Sequence, residues 1–460
     1  MIHHSKDTGR NGQLTLTELK EEVASGAIDT VVVAITDALG RLQGKRCGAR
    51  SFIEDVLDHG AEGCNYLLAV DVEMNTVKGY AMSSWETGYG DMVMLPDIST
   101  LRRVPWQEGT ALVLCDVMWT DGSPVLASPR QILRVQVERL EKLGYRALMG
   151  TELEFLMFDD SYGQAWQKNY QGLSPSTQYN GDYSLLATAR LEPVIRAIRT
   201  KMEAAGLVVE SSKGECNLGQ QEITFRFDEA LKACDKHAFY KNGAKEIADQ
   251  YGKSITFMSK FNEREGNSCH IHFSLTDLDG NPVLPGNGEH GFSRLMENFM
   301  AGQLAALKEL AYFLAPNVNS YKRFVEGSFA PTAIAWGVDN RSCALRVVGH
   351  GTGLRTEIRV GGGDLNPYLA AAALIASVIH GIENDLRLGP ITRGNAYESD
   401  AERLPTNLRD ARELLAESSV ARKAFGDAVV DHYVHAATVE LAAYNSAVTD
   451  WERVRGFERL

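Results

Sequence analysis

The chain of 460 residues is long enough for two or more domains and a large hydrophobic core. Its 44% hydrophobic and 23% charged residues are typical of an ordinary globular protein. The formal net charge of −13 argues against a nucleic-acid partner, because phosphate contacts need basic patches, and it is compatible with a cationic substrate.

The seven cysteines are scattered and form no C-x-x-C pair, which predicts reduced thiols and argues against a disulfide framework or a zinc site. The polar start, MIHHSKDTGRNGQ, shows no secretion signal. The most apolar stretch, LAAAALIASVI from Leu369, is too short to cross a bilayer and predicts a buried helix. We therefore expect a cytoplasmic protein with no membrane partner.

The first part of the chain is predicted to be rich in strands. LTLTELKEEVASG predicts a short helix that ends near Gly26, and DTVVVAITDALGRLQGKR predicts a strand, a turn and a second strand. Short segments broken by turns continue to about residue 110. These patterns indicate a small N-terminal domain over residues 15–110.

Longer helical patterns then alternate with strands. Ser128 as N-cap and Pro129 begin one predicted helix, which Gly144 stops, and Gly206 stops the next helix in the same way. Residues 229–250 and 292–314 and the tail from 407 are also predicted to be helical. We expect one large α+β domain over residues 111–460.

Four predicted strands carry polar residues on one face and apolar residues on the other. Side chains two apart on a strand point the same way, so Glu152 and Glu154 of GTELEFLMF share a face. Three further strands repeat the pattern, and Glu215 lies just before the first of them. Their polar faces hold Glu222, Thr224 and Arg226, then His270, His272 and Ser274, and then Arg355, Glu357 and Arg359.

Such a shared face points to metal-assisted phosphoryl transfer. Crowded carboxylates repel one another unless cations intervene, and oxygen-rich sites with one histidine suit Mg²⁺ or Mn²⁺. Arginines nearby suit phosphate or carboxylate groups. Any one of these strands by itself is more simply a solvated sheet face, and the repetition over four strands favours a site.

The motifs resemble the glutamine synthetase superfamily, type I. TELEF, the pair GE and GQQE, GNSCHIH, NSYKRF, NRSCALR and RTEIRVGGGDLNPYLA follow one another in that family's order. The resemblance implies an N-terminal β-grasp domain and a C-terminal catalytic domain with a curved antiparallel sheet and helices. It also implies homo-oligomers of hexameric rings, commonly dodecamers, whose active sites are shared between neighbouring subunits.

The resemblance also assigns roles by motif position. It implies two or three Mg²⁺ or Mn²⁺ ions per site, and ATP and glutamate as substrates. One metal is held by Glu154, Glu215 and Glu222, and the other by Glu152, His270 and Glu357. Glutamate contacts fall on Gly266, Arg323 and Arg359, nucleotide contacts on Glu210, Phe227, His272, Ser274, Arg341 and Arg355, and catalytic contacts on Arg323, Arg341 and Arg346.

Two departures from the family pattern concern the nitrogen donor. Ammonia-using members read FDGSS and PGYEAP, where this chain reads YAMSS and EGSFAP, so Ala81 and Phe329 replace two carboxylates that hold ammonium. Without them, the predicted slot suits the alkyl part of a larger amine. Glu86, Asp91 and Glu326 are candidates for a distal ammonium contact, although exposed loop acids explain them as well.

Two smaller departures complete the comparison. Glu265 replaces an asparagine that contacts the amino-acid substrate, and Tyr397 lies near a tyrosine that some members adenylylate, in different surroundings.

The resemblance implies an ATP-dependent ligase that joins the γ-carboxylate of glutamate to a primary amine through γ-glutamyl phosphate. Polyamines such as putrescine and spermidine are our first prediction for the amine, followed by ethanolamine or another monoamine. An ammonia-dependent synthetase, a catalytically silent structural or regulatory homologue and an unrelated two-metal phosphotransferase are the alternatives.

Overall fold

The computed structural model describes residues 12–460. Most of the polar start, for which no secretion signal was predicted, lies outside the described residues. Within them, no helix has the length and apolar character needed to cross a membrane.

Six strands form the first sheet, in the order β2-β1-β6-β4-β3, with β5 paired to β6. They are β1 (Thr30–Thr36), β2 (Leu42–Gly48), β3 (Ala61–Cys64), β4 (Asp91–Pro96), β5 (Arg102–Arg103) and β6 (Thr110–Trp119).

The predicted strand–turn–strand segment is confirmed by the antiparallel β1–β2 hairpin. The predicted first helix is also confirmed: α1 (Leu16–Ser25) begins with a capping box at Thr15, and Gly26 ends it in the left-handed conformation. The sheet is mixed, because β1 pairs with β6 in parallel. Since β6 belongs to this sheet, the passage from one sheet to the next lies after Trp119, beyond the predicted boundary at residue 110. That the first sheet is a β-grasp stays a prediction.

Nine strands form the second sheet, in the order β13-β14-β15-β12-β7-β9-β8, with β10 and β11 paired to β7. They are β7 (Tyr145–Phe158), β8 (Val209–Gly214), β9 (Gln220–Phe225), β10 (Asp228–Glu229), β11 (Ser254–Thr256), β12 (Cys269–Asp277), β13 (Trp336–Val338), β14 (Leu345–Val348) and β15 (Arg355–Ile358).

All pairs of the second sheet are antiparallel except β13–β14. The long central strand β7 therefore has β12 on one side and β9 on the other, and these three strands carry most of the predicted site. Leu153, Phe155, Ile223 and Ile271 point to the opposite, buried face, as the alternation predicted.

The longer helices include two that pack against the central strand β7 and others that pack on these two. They are α4 (Pro129–Lys142), α7 (Glu192–Ala204), α8 (Ala230–Gln250), α9 (Arg294–Ala306), α10 (Pro367–Glu383), α11 (Leu408–Glu417), α12 (Ser419–Phe425), α13 (Asp427–Ser446) and α14 (Asp450–Gly456). Shorter helices are α2 (Ala49–Ser51), α3 (Leu57–His59), α5 (Tyr162–Gln167) and α6 (Leu185–Ala189). Single turns of 3₁₀ or π type occur at Phe52–Val56, Asn65–Leu68, Ile98–Thr100, Glu289–Gly291, Ala311–Phe313, Ser320–Arg323, Gly351–Gly353 and Ala396–Glu398.

The apolar stretch from Leu369 forms most of α10, a helix that is buried almost along its whole length, as predicted. It crosses α9 closely, because a Cβ on Gly302 would meet Ser377 O at 2.2 Å. At its N-terminus, Asn366 Nδ2 donates to the carbonyls of Asp37 and Ala38 at 3.1 Å each. These bonds join the N-terminus of α10 to the β1–β2 turn of the first sheet.

Candidate active site

Three carboxylates that are far apart in sequence converge beside β7. Glu154 lies directly opposite Glu222 on β9, and Glu215 follows β8 in the next turn. One oxygen of each lies within 4.8 Å of the others. The structure thus brings together the first predicted metal set, in a form that suits a divalent cation with oxygen ligands.

The electrostatics of this group are unfavourable without a cation. Burial, followed by repulsion from Glu152, Glu154 and Glu215, raises the pKa of Glu222 to about 9. Burial and the neighbouring Glu215 raise the pKa of Glu154 to about 8. Lys213 forms an ion pair with Glu215, which compensates one of the three charges. The donor set fits Mg²⁺ or Mn²⁺, because a bound cation removes the repulsion that the protein leaves in place.

A second group lies where β7, β12 and β15 meet. His270 pairs with Glu152 in register, and its Nδ1 lies 3.5 Å from an oxygen of Glu152 and 3.5 Å from one of Glu357. The other ring nitrogen, Nε2, is buried and has no hydrogen-bond partner among residues 12–460. Burial lowers the pKa of His270 to about 4, so the imidazole is neutral and able to bind a metal.

The second histidine of the motif has different contacts. His272 Nδ1 accepts a hydrogen bond from Arg355 Nε at 3.1 Å, so its Nε2 is the donor to Glu152, at 2.8 Å. Glu152, His272 and Glu357 also form a group with metal-ligand spacing. Both ring nitrogens of His272 are hydrogen-bonded, and its ring lines an adjoining cavity instead of the one that holds His270. These contacts favour His270 as the metal ligand and His272 as a residue of the nucleotide side.

Both acidic groups line one cavity of about 350 Å³, called here the catalytic cavity, and three arginines line it with them. Arg346 Nη1 donates to Glu357 at 2.7 Å, and Arg359 forms a second ion pair with the same carboxylate. Arg341 lines the cavity beside them, as does Gly266. Glu357 is 1% exposed, and electrostatic interactions with His270, Arg359 and His272 keep its pKa below the usual range despite burial.

Arg323 is buried next to the residues that line the catalytic cavity. It is 2% exposed and does not belong to the residues that line the catalytic cavity in the described chain. Its Nη2 donates to the carbonyls of Arg359, Val360 and Gly361, and its Nη1 donates to Ser268 Oγ at 3.2 Å. The structure therefore shows Arg323 bracing the loop after β15, and its direct contact with glutamate or phosphate stays a prediction.

A second cavity of about 500 Å³ adjoins the first and shares Glu152 with it. It is lined by five of the six predicted nucleotide residues, namely Glu210, Phe227, His272, Ser274 and Arg355. The sixth, Arg341, lines the catalytic cavity. The Phe227 ring is half exposed at this cavity and packs near Gly150, where a Cβ would lie 3.4 Å from Phe227 Cβ.

The residues predicted for the amine pocket are only partly brought together. Phe329 lines the catalytic cavity, and Glu326 lines a neighbouring surface cavity of about 720 Å³. Ala81 lines a separate cavity with Tyr80 and His432. Glu86 and Asp91 are exposed and line none of the main cavities of the described chain.

Several residues of the catalytic cavity were missed by sequence reasoning. Asp182, Tyr183, Lys213 and Cys216 line it, and Glu265 lies at its border with the surface cavity. Lys213 could have been found from the sequence, because it precedes Glu215 by two residues. Asp182 and Tyr183 lie in an irregular segment without periodicity, so no pattern indicated them.

The family described as glutamine synthetase, catalytic domain, matches residues 126–455. The chain belongs to the glutamine synthetase family. Members of this family are ATP-dependent carbon–nitrogen ligases, and this chain is accordingly one. The alternative of an unrelated two-metal phosphotransferase is thereby set aside.

Individual relatives match this glutamine synthetase family chain over nearly its whole length. Gamma-glutamylethanolamide synthetase GlnA4 of Streptomyces coelicolor is 60% identical over 98% of this chain and 97% of its own. Glutamate–isopropylamine ligase of a Pseudomonas species is 37% identical over 96% and 97%. A solved GmaS/ADP complex has a TM-score of 0.85 and 28% identity over 96% of this chain and 100% of its own.

Proposed function

We propose that this protein joins the γ-carboxylate of L-glutamate to ethanolamine at the expense of ATP, giving γ-glutamylethanolamide, ADP and phosphate. The observation that carries this proposal is the 60% identity, over almost the full length of both chains, to a gamma-glutamylethanolamide synthetase. Ethanolamine therefore takes precedence over the polyamines that sequence reasoning placed first.

The two acidic groups are proposed to hold two or three Mg²⁺ or Mn²⁺ ions, one at Glu154, Glu215 and Glu222 and another at Glu152, His270 and Glu357. The raised pKa values in the first group, and the position of His270 Nδ1 at 3.5 Å from an oxygen of both Glu152 and Glu357, support this assignment. Bound there, the ions neutralise charge on the transferred phosphoryl group and position its oxygens.

In the first proposed step, a γ-carboxylate oxygen of glutamate attacks the γ-phosphorus of ATP. The bond from that phosphorus to the bridging oxygen breaks, so ADP leaves and γ-glutamyl phosphate forms. The nucleotide occupies the 500 Å³ cavity, with its base near Phe227 and its phosphates directed toward Glu152, where the two cavities join. Arg341 and Arg346, which line the catalytic cavity, stabilise the negative charge that develops.

Glutamate is proposed to lie between Gly266 and Arg359, which both line the catalytic cavity. A guanidinium group suits a carboxylate because it donates two parallel hydrogen bonds. Arg359 is itself oriented by Glu357 and by the Arg341 carbonyl, to which its Nε donates at 3.1 Å. Arg323 supports this arrangement from behind, through Ser268 and the carbonyls after β15.

In the second step, the neutral amine attacks the acyl carbon, the bond from that carbon to the phosphate oxygen breaks, and the nitrogen releases one proton. An apolar side chain at position 329 presents no charge to hold a bare ammonium ion. It suits the methylene groups of a short amine instead. The relative that acts on isopropylamine supports the same view of an alkyl-accepting slot.

We also propose that the chain works as a homo-oligomer of hexameric rings, in which a neighbouring subunit brings the loop around Ala81 and Glu86 to the catalytic cavity. The supporting observation is that neither residue lines that cavity within its own chain, over residues 12–460. Light scattering of the purified protein tests the assembly, and a stable monomer with full activity would contradict it.

An amine panel tests the proposed function. Phosphate release from ATP is measured with glutamate and ethanolamine, isopropylamine, putrescine, spermidine or ammonium, and the product is identified by mass. We expect the highest kcat/KM with ethanolamine and a product equal to glutamate plus ethanolamine minus water. A higher kcat/KM with putrescine or spermidine would restore the polyamine assignment, and one with ammonium would make the protein an ordinary glutamine synthetase. No ligation in any arm would support a silent homologue.

A further inference from the structure

The flap, defined here as residues 325–331, separates two cavities. Ser328 lines both the catalytic cavity and the 720 Å³ surface cavity, and Phe329 lines the catalytic one. Phe329 has a φ of +59°, in the left-handed region, and its side chain is 58% exposed. An aromatic residue rarely adopts this backbone conformation, so its surroundings must hold it there.

Two side chains from other segments hold consecutive carbonyls of the flap. Arg359 Nη2 donates to Phe329 O at 3.3 Å, and Tyr397 Oη donates to Ala330 O at 3.0 Å. Within the flap, Ser328 Oγ donates to Val325 O at 2.6 Å and closes its first turn. The conformation of Phe329 is therefore fixed on its C-terminal side by contacts that the flap does not supply itself.

Tyr397 is well placed to act as a fixed point. Its backbone N–H donates to Asn395 Oδ1 at 3.1 Å, and its carbonyl accepts from Arg403 Nη2 at 3.0 Å. The same segment pairs with the chain beyond the flap, since Ile334 N donates to Glu402 O at 2.7 Å. The phenol ring is half-buried, and burial raises its pKa, so the hydroxyl stays protonated and remains a donor.

We propose that Tyr397 is a positioning residue that holds the flap so that Phe329 shields the acyl phosphate from water while the amine attacks. This inference rests on the proposed γ-glutamyl phosphate intermediate. If water attacks the acyl carbon instead, the carbon–oxygen bond to phosphate breaks, and the products are glutamate and phosphate. ATP is then consumed without amide formation. A loosened flap thus lowers the yield of amide per ATP, because closure of a site is what excludes water.

The test compares wild type with Tyr397→Phe, a variant that lacks only the donating oxygen. The measured quantity is amide formed per ATP hydrolysed, with ethanolamine in one arm and hydroxylamine in the other. We expect this ratio to fall about threefold or more, while the KM values for ATP and glutamate change less than about twofold. Tyr251→Phe, an exposed tyrosine after α8 whose ring lines none of the main cavities, is the matched control.

A second variant shows whether the effect passes through the flap tip. Phe329→Ala is expected to lower the same ratio, and the double variant Phe329→Ala with Tyr397→Phe is expected to lower it no further. Additive losses, or an unchanged ratio in Tyr397→Phe, would overturn the inference.

The hydroxylamine arm separates this inference from the identity of the amine. A wild-type enzyme that forms γ-glutamylhydroxamate but no ethanolamide would refute ethanolamine alone. The drop in coupling would still be measurable with hydroxylamine, and its presence would support the flap inference.

Discussion

Replacement of Glu222 by glutamine should stabilise the metal-free protein while it removes metal binding. Glu222 is buried opposite Glu154, and burial together with three neighbouring carboxylates raises its pKa to about 9. At pH 7.5 the side chain is then protonated in the folded state and ionised in the unfolded state. This difference in protonation destabilises the folded state. Glutamine has nearly the same shape and no ionisable group, so the substitution removes the destabilisation.

The magnitude follows from the pKa. The ordinary carboxyl pKa of 4.5 lies three units below pH 7.5, and each unit corresponds to about 1.36 kcal/mol. The wild type therefore loses at most about 4 kcal/mol of its free energy of unfolding to this group. An amide that lacks partners in the same place costs about 1–3 kcal/mol, so we expect a net gain of about 1–3 kcal/mol. Because the raised pKa belongs to the folded state, that state binds the additional proton between pH 4.5 and about 9, and wild-type stability falls as the pH rises through this window.

The assay is thermal or urea unfolding after chelation, at pH 6.0 and pH 8.5, with and without Mn²⁺. Wild type should gain about 2.7 kcal/mol at a metal concentration one hundred times the Kd, and Glu222→Gln should lose most of this gain together with activity. Glu54→Gln, an exposed glutamate in the first domain, is the control and should behave as wild type. A Glu222→Gln protein that is less stable than wild type without metal, yet keeps the Mn²⁺ gain, would refute the reasoning.

Three further outcomes are expected. Thr15→Ala removes the capping box of α1 and should cost about 1 kcal/mol in urea unfolding, with activity unchanged in the folded protein. Burial lowers the pKa of His432 to about 4, so the stability of the wild type should be complete above pH 6.5 and fall as the pH drops toward 4. His432→Phe should remove this pH dependence of the free energy of unfolding, which amounts to at most about 3 kcal/mol. Gly363→Ala should lower kcat/KM at least about tenfold in a folded protein, because its Cβ would lie 2.7 Å from Phe257 O and 3.3 Å from the carbonyl oxygen of Glu154, a proposed metal ligand.

Local patterns predicted the helix ends well. Ser128 with Pro129, Gly26 and Gly206 act through the conformation of one or two residues, and the observed α4, α1 and α7 begin or end where those residues stand. The same holds for alternation along strands, since the side of a strand on which a residue lies follows from the pleat alone. The shared polar face of β7, β9, β12 and β15 was therefore visible in the sequence.

Features that depend on long-range pairing were not visible. The parallel pairing of β6 with β1 places residues 110–119 in the first sheet, and no local signal distinguishes such a strand from one of the second sheet. The position of Arg323 was also hidden, because its contacts are carbonyls after β15, about forty residues away in sequence. The sequence placed Glu154 and Glu222 on strands, but it did not show that they lie directly opposite each other. That depends on the register between β7 and β9, which the structure provides.

The charges of the catalytic cavity explain why one strand carries two glutamates. Its lining holds seven carboxyl groups and four lysine or arginine side chains, a formal charge of −3 when every group is ionised. A carboxylate and a triphosphate would be repelled by such a surface, so the proposed divalent cations would have to bind with or before them. On β7, Glu154 faces Glu222 and Glu152 faces His270, with a separation along the strand of about 6.6 Å. With one glutamate on each side, the strand would hold two ions in separate groups of ligands, and the two together would neutralise charge on the transferred phosphoryl group.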